Sequence, residues 1–207
     1  MGLAIFLRKR LTPNYFQKLL IGSLSSGLGN EVLLCSGFFQ ENYLGRIYTV
    51  STEGSFSMLL RKNNISLTTV GIHNHYWLES YKKFRDNIVK AGVSISAKIT
   101  PNYYWHAKIF ILKKDGKPIF GIVGSSNMTR PAFGTTAPFN FEADVVMWLD
   151  EYKELNTIIN STVNELNQSS EVIIADYDPT KNFGLSIEQR LRQLNDDVEE
   201  TGLIDLE

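Results

Sequence analysis

The stretch "YYWHAKIFILKKDGKPIFGIVGSSNMT", residues 103–129, places two apolar runs on either side of Asp115-Gly116. Asp-Gly between apolar runs signals a two-residue type I′ hairpin, because both central residues must take positive φ. With that turn at the tip, the pairing predicted across the hairpin sets Lys113 against Pro118, Lys108 against Val123, His106 against Ser125 and Tyr104 against Asn127. Opposed residues share a face, as do residues two apart. One face is therefore expected to carry His106, Lys108, Ser125 and Asn127 at the open end of an otherwise apolar hairpin. A slip of one residue would send His106 and Ser125 to opposite faces.

An ammonium and an imidazole on so apolar a hairpin are costly to bury without a counter-charge, so an anion is the expected guest. Lys108 supplies charge, while Ser125 and Asn127 supply directional donors. "GSSN" (124–127) adds backbone N–H groups beside small residues, a set suited to the oxygens of a phosphate. A structural polar cluster, with His106 bonded to Asn127, accounts for the same residues and stays open at this point.

Outside the hairpin, the chain's 207 residues and 43% hydrophobic content fit a single domain, 1–207, with one well-buried core. Lys and Arg total 21 against 22 for Asp and Glu, so overall charge draws the chain to neither nucleic acid nor an acidic membrane, although a local basic cleft stays open. The single cysteine, Cys35 in "EVLLCSGFF", reads as a small buried hydrophobe and leaves no intrachain disulfide. The apolar start "LAIFL" is cut off by "RKR", far short of the ~20 residues that cross a bilayer. A soluble, cytoplasmic protein without a membrane partner is expected. The closing Leu206-Glu207 looks like what a cloning site leaves, so the chain reads as a fragment of something longer.

Periodicity predicts a helix over "TPNYFQKLLIGSLSSG" with Thr12 as N-cap and Pro13 in the first turn, then a buried strand over "EVLLCSGFF". "GRIYTVS" and "ISLTTVGI" read as strands and "SFSMLLRKN" as a short helix. "YWLESYKKFRDNIVKAG" is a firm helix, with Trp77, Tyr81, Phe84 and Ile88 on one face and Gly92 just beyond its end. "VSISAKI", "FEADVVMWLD" and "EVIIADY" follow as strands, with helices over "EYKELNTIINSTVNELNQ" and "SIEQRLRQLNDDVEE". The expected class is α/β, a mixed central sheet flanked by helices on both faces.

His106-x-Lys108, then Gly124-Ser125-x-Asn127, then Asn140-x-Glu142 resembles the motif of the phospholipase D superfamily. The preceding strands resemble those of its branch of metal-independent restriction endonucleases. Lys113 stands where the family has an aspartate, and the spacing from Lys108 to Gly124 is longer than usual. The resemblance implies a phospholipase D-like fold and phosphoryl transfer in two steps. His106 attacks phosphorus to form a phosphohistidine, and a second histidine protonates the leaving oxygen and then activates water. It assigns catalysis to His106, Lys108, Asn127, Glu142 and Ser125, with Glu142 orienting the His106 ring, and needs neither metal nor cofactor. Only one H-x-K is present, so the second half of the site is expected from another copy, in a homodimer with both His106 side chains at the two-fold interface. DNA is the expected partner, and a C-terminal DNA-recognition domain is the part expected to be missing from the fragment. Ser126, Asn140, Tyr104, Arg130 and His73 are expected to bind substrate, with Tyr103 and Trp105 as further stacking or core candidates. His73 and His75 stand at metal-pair spacing, but no further ligand cluster follows. Cleavage of a phospholipid, or binding of nucleic acid without turnover, are the alternatives.

Overall fold

The computed structural model describes residues 2–45, 47–101, 104–165 and 169–207, and Tyr103 lies outside them. Among the described residues one sheet is built from β1 (Gly2–Arg8), β2 (Glu31–Cys35), β3 (Ser66–Gly71), β4 (Ile95–Ile99), β5 (Lys108–Lys114), β6 (Lys117–Gly124), β7 (Glu142–Trp148), β8 (Val172–Asp176) and β9 (Ile204–Asp205). Their order across the sheet is β8-β1-β7-β6-β5-β2-β3-β4-β9. The pairs β2/β3 and β3/β4 are parallel and the rest antiparallel. Parallel neighbours need a crossover. These are supplied by α2 (Phe56–Lys62) and α3 (Leu78–Lys90), while α1 (Tyr15–Ser25), α4 (Arg130–Phe133), α5 (Lys153–Asn164) and α6 (Ile187–Glu199) complete the helices.

Phe6, Asp144, Gly124 and Lys108 are aligned across four neighbouring strands and so project from one face. Tyr15, at the start of α1, packs its ring 5.7 Å from that of Phe6 on this face. Gly121 points the other way, and Leu191 of α6 rests directly on it. Helices therefore cover both faces, as the alternation of elements predicts. On the first face Phe39, Tyr81, Phe84 and Phe56 interlock, with Phe39 and Tyr81 stacked at 4.6 Å. Cys35 is buried, and burial pushes its thiol pKa up.

Several local expectations change. Asn14, not Thr12, caps α1, its Oδ1 accepting from Gln17 N at 3.1 Å. "LAIFL" is the inner part of β1, with Ala4 and Phe6 turned into the core. "GRIYTVS" forms no strand. Its described residues fold back on 40–42 through Asn42 N–Tyr48 O and Val50 N–Gln40 O bonds of 2.7 and 3.0 Å, leaving one isolated bridge, Glu41 with Thr49. Trp77 lies in the turn before α3 and stacks on Tyr43 at 4.0 Å instead of entering the core with Tyr81, Phe84 and Ile88. Leu206 is packed: its N–H reaches Ala97 O and its carbonyl accepts from Arg85.

The hairpin itself departs at one place. Asp115 and Gly116 take φ of 50° and 75°, and Lys113 pairs with Pro118, as the turn predicts. Leu112, however, pairs with Phe120, so Ile119 is an extra residue in a β-bulge. Pro118 has no N–H to continue a regular ladder, and bulges are where sheets tolerate it. Beyond the bulge every partner is one residue later than predicted. Lys108 faces Gly124 in place of Val123, and the ladder stops there, so His106 is not paired with Ser125 nor Tyr104 with Asn127.

Candidate active site

At one end of the sheet β2, β3 and β6 finish while β5 and β7 begin, and the motif residues gather there because neighbouring strands, not the hairpin alone, bring them in. Lys108, the first residue of β5, is 7% exposed, whereas His106 stands in the irregular segment just before it and is open to solvent. Lys108 Nζ lies 3.2 Å from His106 Nδ1 and also donates to the His106 carbonyl. An ammonium can only donate, so Nδ1 accepts and the neutral ring carries its proton on Nε2. The positive charge of Lys108, then burial, then His73 hold the His106 pKa below the usual imidazole value. Burial lowers the Lys108 pKa as well, opposed by the charge of Glu142. The result is an uncharged imidazole beside a partly desolvated cation.

Glu142, the first residue of β7, is buried opposite Arg8 of β1. Its Oε2 accepts from Ser125 Oγ and its Oε1 from Asn140 Nδ2 at 3.0 Å. It does not orient the His106 ring within one chain: its two oxygens are engaged by Ser125 and Asn140, and Nδ1 of the ring faces Lys108. Arg8 donates to the carbonyls of Pro131, Ala132 and Gly134 at 2.8–3.0 Å, which ties the segment after the G-S-x-N loop to the strand that carries Glu142.

The loop is set by close approach. A Cβ on Gly124 would lie 2.1 Å from Asp144 Oδ1, so glycine is required for the loop to lie on β7. Ser126 is buried and bonded to Asp144 through Oγ (2.6 Å) and N–H (3.2 Å), so it shapes the loop instead of facing the cleft. Burial raises the Asp144 pKa to about 6. The Oδ1 of Asn127 lies 3.2 Å from Ser36 Oγ, and Met128 N–H donates to the same hydroxyl at 3.1 Å. Asn127 is held by Ser36, not by His106, so the alternative cluster with a His106–Asn127 bond is absent from the described contacts.

His73, in the loop that leaves β3, sets its ring edge-on to His106 at 5.0 Å between centroids. Its Nδ1 is buried and, among the described residues, without a hydrogen-bond partner. Tyr104 lies 6.0 Å beyond, 71% exposed, while Trp105 is buried with its indole N–H on Ala107 O. Arg130 turns to Thr136 Oγ1 at 3.2 Å and has no described bond to the His106 group. Among the described residues no three His, Cys, Asp or Glu side chains converge as a metal site, and no helix is long and apolar enough to cross a membrane.

Two positioning residues escaped the sequence reading. Ser36 is the polar residue that closes the apolar run of β2, and Asp144 lies two positions after Glu142 on the same face of β7, so strand alternation was the available signal for both.

The chain is similar in fold to Nuc of Salmonella typhimurium, a phospholipase D family member, at 13% identity and a TM-score of 0.45, covering 84% of this chain and 98% of that one. It is also similar to NucT from Helicobacter pylori, at 14% identity and 0.39, covering 83% and 97%. The third likeness is to phosphatidylserine synthase of Haemophilus influenzae, at 9% and 0.49, covering 96% of this chain and 46% of that one. No curated protein sequence matches it. The family model described as the NgoFVII restriction endonuclease N-terminal PLD domain matches residues 29–175, a span that holds β2 to β7 and the whole motif. The chain therefore belongs to that family, and with it to the nuclease and phosphodiesterase enzymes of the phospholipase D superfamily.

Proposed function

We propose that the chain is a metal-independent phosphodiesterase that cleaves DNA through a phosphohistidine on His106, as the nuclease domain of a Type II restriction endonuclease. The observation that carries this reading is the neutral imidazole of His106 beside the half-desolvated ammonium of Lys108, at a sheet end that also holds Asn127, Ser125 and Glu142. An attacking imidazole must be unprotonated, and the developing phosphorane charge calls for a fixed cation and directional donors. An entering phosphate offers Lys108 Nζ a better acceptor than an imidazole nitrogen. Moving to a non-bridging oxygen, Lys108 releases Nδ1 to take the ring proton and leaves Nε2 free to attack.

The His106–phosphorus bond forms as the bond to the leaving oxygen breaks, and that oxygen takes a proton from His106 of the partner subunit. Water then attacks the phosphohistidine, giving its proton back to the same imidazole as the phosphorus–nitrogen bond breaks. Two imidazoles of opposite protonation are needed at one phosphorus, and each chain holds one H-x-K, which supports a two-fold homodimer. Glu142 acts as counter-charge to Lys108 and as anchor of Ser125 and Asn140. The near-neutral chain brings no net positive charge to a polyanion, which supports a DNA-recognition domain elsewhere in a longer protein. The test is plasmid cleavage in excess EDTA. Wild type is expected to cut and His106→Ala to lose about 10⁴-fold or more; cleavage that survives the substitution, or that EDTA abolishes, contradicts the reading.

A further inference from the structure

Next to the His106 group lies a cavity of about 590 Å³ that none of the chemistry above uses. Its lining is mostly apolar, Ile72, Leu78, Ile99, Pro101 and Tyr104, with polar groups from Asn74, His75 and Thr100. The size and the mixture of apolar walls with a few polar groups are those of small-molecule sites. Three rings step outward from the proposed nucleophile to this cavity, His106 to His73 at 5.0 Å and His73 to Tyr104 at 6.0 Å. Tyr104 is left 71% exposed, an aromatic face bare to water beside a polar centre. Two of the apolar lining residues come from regular structure: Ile99 ends β4 and Leu78 opens α3.

We infer that this cavity seats the nucleobase attached to one side of the scissile phosphate, stacked on Tyr104 and enclosed by Leu78 and Ile99, so that it grips the flanking nucleotide that the phosphate contacts alone do not. The inference rests on the phosphodiesterase reading of the same site. A base joined through its sugar to a phosphate at His106 arrives at Tyr104 with no further linker, and its flat apolar faces match both the ring and the aliphatic walls. Base–aromatic stacking tolerates any base, so the cavity lends affinity at this position, and the polar groups in its lining, His75 and the Nδ2 of Asn74 among them, add preference.

Binding is measured with the full chain carrying His106→Ala, so that no turnover intervenes. The ligands are a labelled short single-stranded DNA and the same strand made abasic on the 5′ or on the 3′ side of one phosphate. Loss of the base on one side is expected to weaken binding about tenfold, within the range that stacking supplies, and loss on the other side far less. Leu78→Trp, which fills the cavity, is expected to erase the tenfold advantage of the base-bearing strand, and Tyr104→Ala to reduce it while Tyr104→Trp restores it. Equal affinity for abasic and intact strands overturns the inference. So does a Leu78→Trp variant that keeps the full advantage, or one that changes the solution mass, which would assign the cavity to a second copy of the chain. A separate arm tests the underlying chemistry, cleavage of a base-free aryl phosphodiester by wild type and by His106→Ala. If the variant retains that cleavage the phosphohistidine reading fails, whatever the abasic ligands show.

Discussion

The two ends of the β5–β6 hairpin obey different rules. At the tip, Asp115 and Gly116 take the positive φ of a type I′ turn and Lys113 pairs with Pro118 as that turn dictates, while Asn30 and Glu31, where β2 begins, bond Asp115 and Gly116 at 2.9–3.0 Å. At the open end the pairing is one residue out of step with that turn, because Ile119 bulges, and the polar groups are placed by contacts from β2, β3 and β7. The pairing at the tip follows from the turn's own sequence, and the site is a property of the whole sheet end. Substitutions at the site end should therefore act through several elements at once, and those at the tip through the turn and its contact with the start of β2.

After His106 itself, the largest effect is expected at Lys108. Lys108→Met removes the cation that faces the phosphate and should lower kcat/KM by about 10²–10³-fold. The same cation depresses the His106 pKa, so its loss raises that value and should move the acid limb of the pH–kcat/KM profile to higher pH. A rate loss without that displacement would break the link between Lys108 and the imidazole.

Next is Asp144, whose pKa burial raises to about 6. A carboxyl with a folded-state value above its unfolded one, near 3.8, favours the folded chain while protonated. The stability this group contributes is therefore present below about pH 4 and lost as pH rises to about 6. The size is about 3 kcal/mol, seen as a falling urea midpoint between those pH values that Asp144→Asn should flatten. A smaller effect, about 1–3 kcal/mol of stability, is expected for Gly124→Ala, since its Cβ would meet Asp144 Oδ1 and the Ala143 carbonyl. An unchanged urea midpoint would show that the loop can shift off β7. At the tip, Asp115→Ala should cost only about 1–2 kcal/mol, for its positive φ and its lost acceptor to Asn30, and leave activity intact, whereas Asp115→Asn should stay close to wild-type stability.

The same contrast explains how much was legible in the sequence. Elements governed by nearby residues read correctly: the turn, α3 with Gly92 beyond its end at φ 80°, and the helix α6, which the structure opens with a capping box of Ser186 and Gln189. What failed was settled by distant chain. "LAIFL" carries no turn signal of its own and becomes β1 because β7 and β8 receive it on either side. "GRIYTVS" has strand composition but only residues 40–42 to pair with. In the site, His106, Lys108, Asn127 and Glu142 were visible as a spaced motif, and the structure does bring them to one sheet end. Their partners were not visible: Ser36 lies 91 residues from Asn127, and Asp144 holds Ser126 rather than the cleft. The expected Glu142–His106 contact failed for the same reason, since Ser125 and Asn140 meet the carboxylate first.

The central claim is a covalent bond between phosphorus and His106, and the direct test is to trap it. Wild-type protein mixed with a DNA substrate is quenched in alkali within the first turnover, digested, and the peptide holding His106 weighed. A nucleotidyl adduct on His106, absent from a Lys108→Met sample quenched at the same time, is the expected result; steady cleavage with no adduct on that imidazole at any quench time would contradict the account.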